Sequence, residues 1–133
     1  ILIRLGLPDE AREIYDLANS GATNREIELK KLGYTSEDVC AELCRRWKFS
    51  PELIEAIERC GAPLNSSTIN KSACTVNIGR YLSEYRSKNE KIEEVLQFFP
   101  YDVAEKIGLN EKFIAEKLPE ILMIESGLDG IAD

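Results

Sequence analysis

The chain has 133 residues, 44% of them hydrophobic and 31% charged, with a net charge of −7 and no histidine. That length and composition suit one folded domain with a real core and exclude a disordered chain. The acidic balance opposes binding to a phosphate backbone, the lack of imidazole removes the commonest general base and metal ligand, and no apolar run approaches the ~20 residues that cross a bilayer.

In chain order, ILIRLGL at Ile1–Leu7 reads as the end of an apolar helix. It lacks the positive flank of a signal peptide. The chain starts on Ile rather than Met, so it is expected to be a fragment or a processed piece. Pro8-Asp9-Glu10 opens a helix to about Asn19, with Ala11, Ile14, Tyr15 and Ala18 on one face and Asn19-Ser20-Gly21 closing it. Thr23 and Glu26 form a capping box for a helix ended by Gly33. That helix carries Arg25, Glu26, Glu28, Lys30 and Lys31, and its charged surface is expected to be solvated.

Gly33 to Pro63 holds two short amphipathic helices around a tight connection. Thr35 or Ser36 caps the first, and Glu37 and Asp38 occupy the first turn, where the helix dipole favours anions. Val39, Cys40, Leu43, Cys44 and Trp47 form the expected apolar stripe. Ser50-Pro51-Glu52 restarts the chain, and Leu53, Ile54, Ile57 and Cys60 form the second stripe before Gly61 and Pro63 stop it. Trp47 and Phe49 are expected to be buried at the corner and, with Leu43 and Ile57, to anchor the core.

A loop at Ala62–Ser67 leads into a long helix over about Thr68–Ser87. Its apolar residues lie on two sides, Ile69, Ala73 and Val76 against Cys74, Ile78, Leu82 and Tyr85. A central helix packed on both sides is expected, with Gly79 allowing a close crossing. Ile92, Val95, Leu96 and Phe99 give the next helix, stopped by Pro100. Tyr101–Ile107 is a short helix ending at Gly108. Asn110 caps the last, which carries Phe113, Ile114, Leu118, Ile121 and Leu122 and which Pro119 should kink or interrupt. Gly127–Asp133 reads as a frayed tail. No strand-like alternation occurs, so the fold class is all-α, a compact bundle of about seven helices in a single domain.

The cysteines Cys40, Cys44, Cys60 and Cys74 are spread over helical faces rather than paired on loops. They are expected to be buried, reduced thiols, which suits a cytoplasmic protein. Ser36, Ser50 and Ser66-Ser67 have no histidine for a triad, and Gly33, Gly61, Gly79 and Gly108 are too isolated to cradle a phosphate. Glu55, Glu58, Glu93 and Glu94 fall on polar helix faces. A reactive thiol at Cys60 would lie at a helix C-terminus, where thiolate is disfavoured.

LGYTSEDVCAELCRRWKFSPELIEAIERCGAP resembles the stretch of the HDOD family that reads roughly lGxdHaevGaxLxxrWxlPexlxxaIxxHHxP. ILIRLGL is similar to that family's LLHDIG segment, and SACTVNIGRYL to its helix ending in hxAdxLa. The resemblance spans about Ile1 to Leu82, the second half of the family module, so the module's N-terminal helical half is expected to be absent. HDOD domains are non-catalytic relatives of HD phosphohydrolases, in which His and Asp side chains hold metal ions that activate a water. The resemblance places the adjacent His-Asp pair at Ile3 and Arg4, the next His at Ser36, the His-His pair at Cys60 and Gly61, and the late Asp at Arg80. None of these can rebuild an oxygen and imidazole site. The resemblance therefore implies an HD-like signalling and protein-interaction module, not an enzyme, with no cofactor. Its expected partner is a protein or a neighbouring domain, with no nucleic acid and no membrane, and Ile1–Leu7 offers a surface for self-association. The alternatives are a degenerate metal-dependent phosphohydrolase and a structural subunit of a helical oligomer.

Overall fold

The computed structural model describes residues 6–18, 23–88 and 91–123. Among them there are eight helices and no strand, so the all-α expectation holds. None of these helices is long and apolar enough to cross a membrane. Ile1–Leu5 and the expected tail at Gly127–Asp133 lie outside the described residues. The chain divides into two compact units, Ile1–Ala73 and Cys74–Asp133.

The first unit begins with α1 (Pro8–Ala18) and α2 (Asn24–Leu32), which pack on one another. The Thr23–Glu26 capping box forms, and Gly33 closes α2 in a left-handed conformation, φ 76°, with its N–H donating to the Leu29 carbonyl. Ile14 and Ile27 are the buried apolar residues of this pair.

The packing of α3 (Ser36–Arg46) on α4 (Pro51–Arg59) forms the body of this unit. Thr35 caps α3 in a reciprocal box with Asp38, and Ser50 caps α4 by accepting from the Leu53 N–H, as the sequence implies. The stripe on α3 is rotated from the expected one. Glu37, Ala41 and Cys44 are buried, Val39 and Leu43 are half-buried, and Cys40 is exposed. On α4 the buried residue is Ala56, followed by Cys60 just past its end, while Ile57 is half-buried. The residues buried on the two helices and at the end of α4 are mostly small: Ala41, Cys44, Ala56 and Cys60.

The corner between them corrects the expectation for Trp47 and Phe49. Trp47 is 65% exposed and Phe49 46%. Their rings meet edge to face, with centroids 6.2 Å apart, on the outside of the turn. The cause is the way α3 ends. The Lys48 N–H donates to the Arg45 carbonyl and the Phe49 N–H to the Cys44 carbonyl, while Lys48 adopts φ 59°. This is a Schellman motif with lysine in the left-handed position usually held by glycine. The reversal it makes carries Trp47 past the last full helical turn and away from the buried stripe. The lysine holds a conformation that costs an L-residue free energy. Lys48→Gly is therefore expected to raise stability by ~0.5–1 kcal/mol, read as a higher denaturant midpoint at unchanged slope. A lower midpoint would refute this account of the corner.

In α5 (Lys71–Lys88) the start lies three residues later than expected, because the Asn70 side chain accepts from the Ala73 N–H at 2.9 Å and caps it there. Ala73, Cys74 and Ile78 are buried and Tyr81 is half-buried, which makes one stripe rather than two. Ile69 is exposed and Val76 only half-buried. Gly79 is exposed, and a methyl group built on it would touch nothing within 4 Å, so among the described residues no helix makes the expected close crossing there.

The second unit continues with α6 (Ile92–Gln97), α7 (Tyr101–Lys106) and α8 (Glu111–Leu122), with α6 packed on α8. Its core includes Val95, Phe99, Val103, Ala104, Ile114 and Leu118. The Tyr81 hydroxyl donates to the Val95 carbonyl at 2.6 Å, and the Tyr101 hydroxyl to the Leu96 carbonyl at 3.0 Å. Both carbonyls lie in the last turn of α6, and the Leu96 carbonyl also accepts from the Phe99 backbone N–H at 3.4 Å. Phe99 sits edge-on to Tyr81 and tilted against Tyr101. Burial, reinforced by Tyr85, holds the Tyr81 phenol well above its ordinary range. Asn110 caps α8 as expected, and the helix runs through Pro119 to Leu122, so of the kink or interruption expected at Pro119 the interruption does not occur.

Candidate functional site

The start of α3 gathers the polar groups that the first unit buries. Glu28 of α2 is 8% exposed, and Glu37 in the first turn of α3 is 6% exposed. The Glu28 carboxylate accepts from the Ser36 backbone N–H at 2.8 Å and from the Ser36 hydroxyl at 2.5 Å. It thus satisfies a donor that the α3 N-terminus leaves free, where the helix dipole also favours negative charge. The adjacent Thr35 side chain is fully buried and bonded to Asp38 at 2.9 Å.

The Arg25 guanidinium reaches across from α2 to Glu37, with Nη1 3.3 Å from Oε2. Gly61, two residues past the end of α4, closes over this pair. A Cβ built on Gly61 would lie 2.6 Å from Arg25 Nη1 and 2.9 Å from Glu37 Cδ. One ion pair therefore joins α2, α3 and the turn after α4.

Of the six positions matched to the HD ligands, Ile3 and Arg4 lie outside the described residues. Ser36 and Gly61 both border Glu37, one as its chain neighbour and one by contact. Cys60 is buried, with its thiol donating to the Ile57 carbonyl at 3.1 Å. Arg80 is exposed and belongs to the second unit. Among the described residues, no group of three or more Cys, Asp or Glu side chains is placed to hold a metal ion.

Three of the four thiols are buried as expected: Cys44, Cys60 and Cys74. Cys40 is the exception, because the rotation of the α3 stripe turns it outward. Partial burial first, and then the neighbouring Cys44, Cys60 and Glu37, hold its thiol above the ordinary range. A thiol in that state is mostly protonated near neutrality and a poor nucleophile.

Arg25, Glu28 and Glu37 are the residues the sequence reading missed. The α2 charges were expected on a solvated face and Glu37 only as a dipole partner. The spacing of α2 gave no warning, since its charges are distributed around the helix, with only Ile27, Leu29 and Leu32 apolar. Burial of Glu28 and Glu37 comes from the docking of α2 and the α4 turn onto the start of α3.

No protein-family model matches the chain, and no curated protein matches it. Among solved structures, it is similar to a protein from Shewanella amazonensis SB2B that is named, provisionally, as a phosphohydrolase. The TM-score is 0.68 at 25% sequence identity over 91% of this chain. The chain spans 45% of that protein's length. This likeness, with the helices in the order described, gives the chain an HD-like, all-helical fold.

Proposed function

We propose that this chain is a non-catalytic HD-like module that works by binding a protein partner or a neighbouring domain. The reading is carried by what stands at the positions matched to metal ligands. Ser36 spends its hydroxyl on Glu28, Cys60 spends its thiol on a backbone carbonyl, and Gly61 has no side chain and lies against Arg25 and Glu37. The metal ions used by HD enzymes do not fit these residues, since hard and borderline cations need several oxygen or imidazole donors converging on one point.

The net charge of −7 supports a protein partner over nucleic acid. Free, buried thiols support a reducing compartment such as the cytoplasm. The self-association surface expected at Ile1–Leu7 lies outside the described residues, apart from Gly6 and Leu7. A second reading, a degenerate phosphohydrolase, is favoured by the name of the similar Shewanella protein.

The two readings separate in one assay. The protein is loaded with Mn2+ or Fe2+, and hydrolysis of bis(p-nitrophenyl) phosphate is followed beside elemental analysis of the desalted sample. No turnover above the metal-only control and no stoichiometric metal is the expected result. Metal-dependent turnover that co-purifies with the folded protein would replace the interaction module with the enzyme.

A further inference from the structure

We propose that the corner between α3 and α4, where Trp47, Lys48 and Phe49 stand in solvent, docks an acidic, apolar segment of a protein partner. The inference deepens the interaction-module reading and rests on it for the statement that the partner is a protein. It is carried by two observations, the exposed aromatic pair and an ammonium that the fold leaves without a counter-charge.

Trp47 is 65% exposed and Phe49 46%, and Leu53 in the first turn of α4 is 42% exposed. Tryptophan is mostly buried in folded proteins, and exposed apolar surface rimmed by charge marks interaction sites. The Trp47 and Phe49 rings already rest edge to face. The surface is therefore ordered in advance, and little side-chain freedom is lost when a partner covers it. The indole N–H of Trp47 has no acceptor among the described residues, so it too is available to a partner.

Arg45, Arg46 and Lys48 flank this pair in sequence. Arg45 is held by Glu42 and Glu58, and Arg46 by Glu42. Lys48 is exposed, and its ammonium has no ion pair or hydrogen bond among the described residues. It also stands at φ 59°, where glycine would fit at less cost. A side chain kept in that conformation without a contact inside the fold is suited to a contact outside it. The complement of an ammonium beside an indole N–H and two apolar rings is a carboxylate next to an apolar side chain. A second copy fits poorly. A two-fold axis through this surface would bring two Lys48 ammoniums together, and each chain carries a net charge of −7. The same net charge opposes a phosphate backbone or an anionic membrane surface.

The test selects a tryptophan-free random-peptide display library on the immobilised chain, with Trp47→Ala as the counter-target. The most enriched peptide is then followed by the emission of Trp47, the chain's single tryptophan. Enriched peptides are expected to place Asp or Glu beside Leu, Ile or Phe and to shift that emission saturably to the blue. Replacing their carboxylates by amides should weaken binding. With a fluorescein-labelled peptide, Trp47→Ala is expected to bind about 30-fold more weakly than wild type. Lys48→Gly is expected to bind about fivefold more weakly although the same change should raise stability, which separates a lost contact from a damaged fold. A consensus without acidic residues, no enrichment over the counter-target, unchanged Trp47 emission, or full affinity in Lys48→Gly would overturn the proposal. So would self-association in light scattering that Trp47→Ala abolishes, since a second copy would then hold the site. Metal-dependent hydrolysis would sink the non-catalytic reading alone and leave the peptide result standing.

Discussion

Leu118→Ala is expected to destabilise the second unit by ~2–5 kcal/mol. Leu118 is 1% exposed and is the largest fully buried side chain among the described residues. It lies one turn after the buried Ile114 on α8, and α8 packs on α6, where Val95 is also fully buried. Truncation removes apolar area and leaves a cavity that a helix held by an Asn110 cap can only partly collapse. Near-ultraviolet dichroism from Tyr81, Tyr85 and Tyr101 should follow the loss, because all three tyrosines belong to this unit. Trp47 belongs to the first unit and gives an independent signal there. A denaturant midpoint within ~0.5 kcal/mol of wild type in the tyrosine signal would show that Leu118 is not a core residue.

Gly61→Ala is expected to cost ~1–3 kcal/mol, which is unusual for adding one methyl group at a half-buried turn position. The new Cβ would meet Arg25 Nη1 at 2.6 Å and Glu37 Cδ at 2.9 Å. The guanidinium can swing outward, since it is partly exposed, but doing so withdraws positive charge from a buried carboxylate. The cost is therefore electrostatic as well as steric, and Gly61→Ala should lose part of its penalty in an Arg25→Ala background, where only the Glu37 contact remains. Gly79→Ala is the control. Gly79 lies inside α5 with open space around its Cα, so alanine there should stabilise by ~0.5–1 kcal/mol. Denaturant unfolding of the four proteins settles the point. Additive penalties for Gly61→Ala and Arg25→Ala would mean that the glycine and the ion pair are unrelated.

Much of the fold was legible because it depends on local chemistry. The Thr23–Glu26 box, the Thr35 and Ser50 caps, the Asn110 cap and the Gly33 stop are written in short-range hydrogen-bonding and dihedral preferences. Helix order and the all-α class follow from apolar residues recurring at helical spacing and from the absence of alternation. The resemblance through RRWKFSPELIEAI led to an HD-like fold, and the structural likeness to the Shewanella protein agrees with it.

What the sequence by itself determined, then, was where most of the helices start and stop and that the chain has no histidine. Only the tertiary structure decided which face of each helix is buried. Periodicity shows that a stripe exists but leaves its rotation uncertain when small and large residues compete. On α3 the contact with α4 took Ala41 and Cys44, and Cys40 and Trp47 were left outside. Tertiary structure alone also buried Glu28 and Glu37. A charged residue is placed inside only when a partner from elsewhere in the chain reaches it, and neither the Ser36 donors nor the Arg25 guanidinium could be assigned to those carboxylates before the three helices and the Gly61 turn came together.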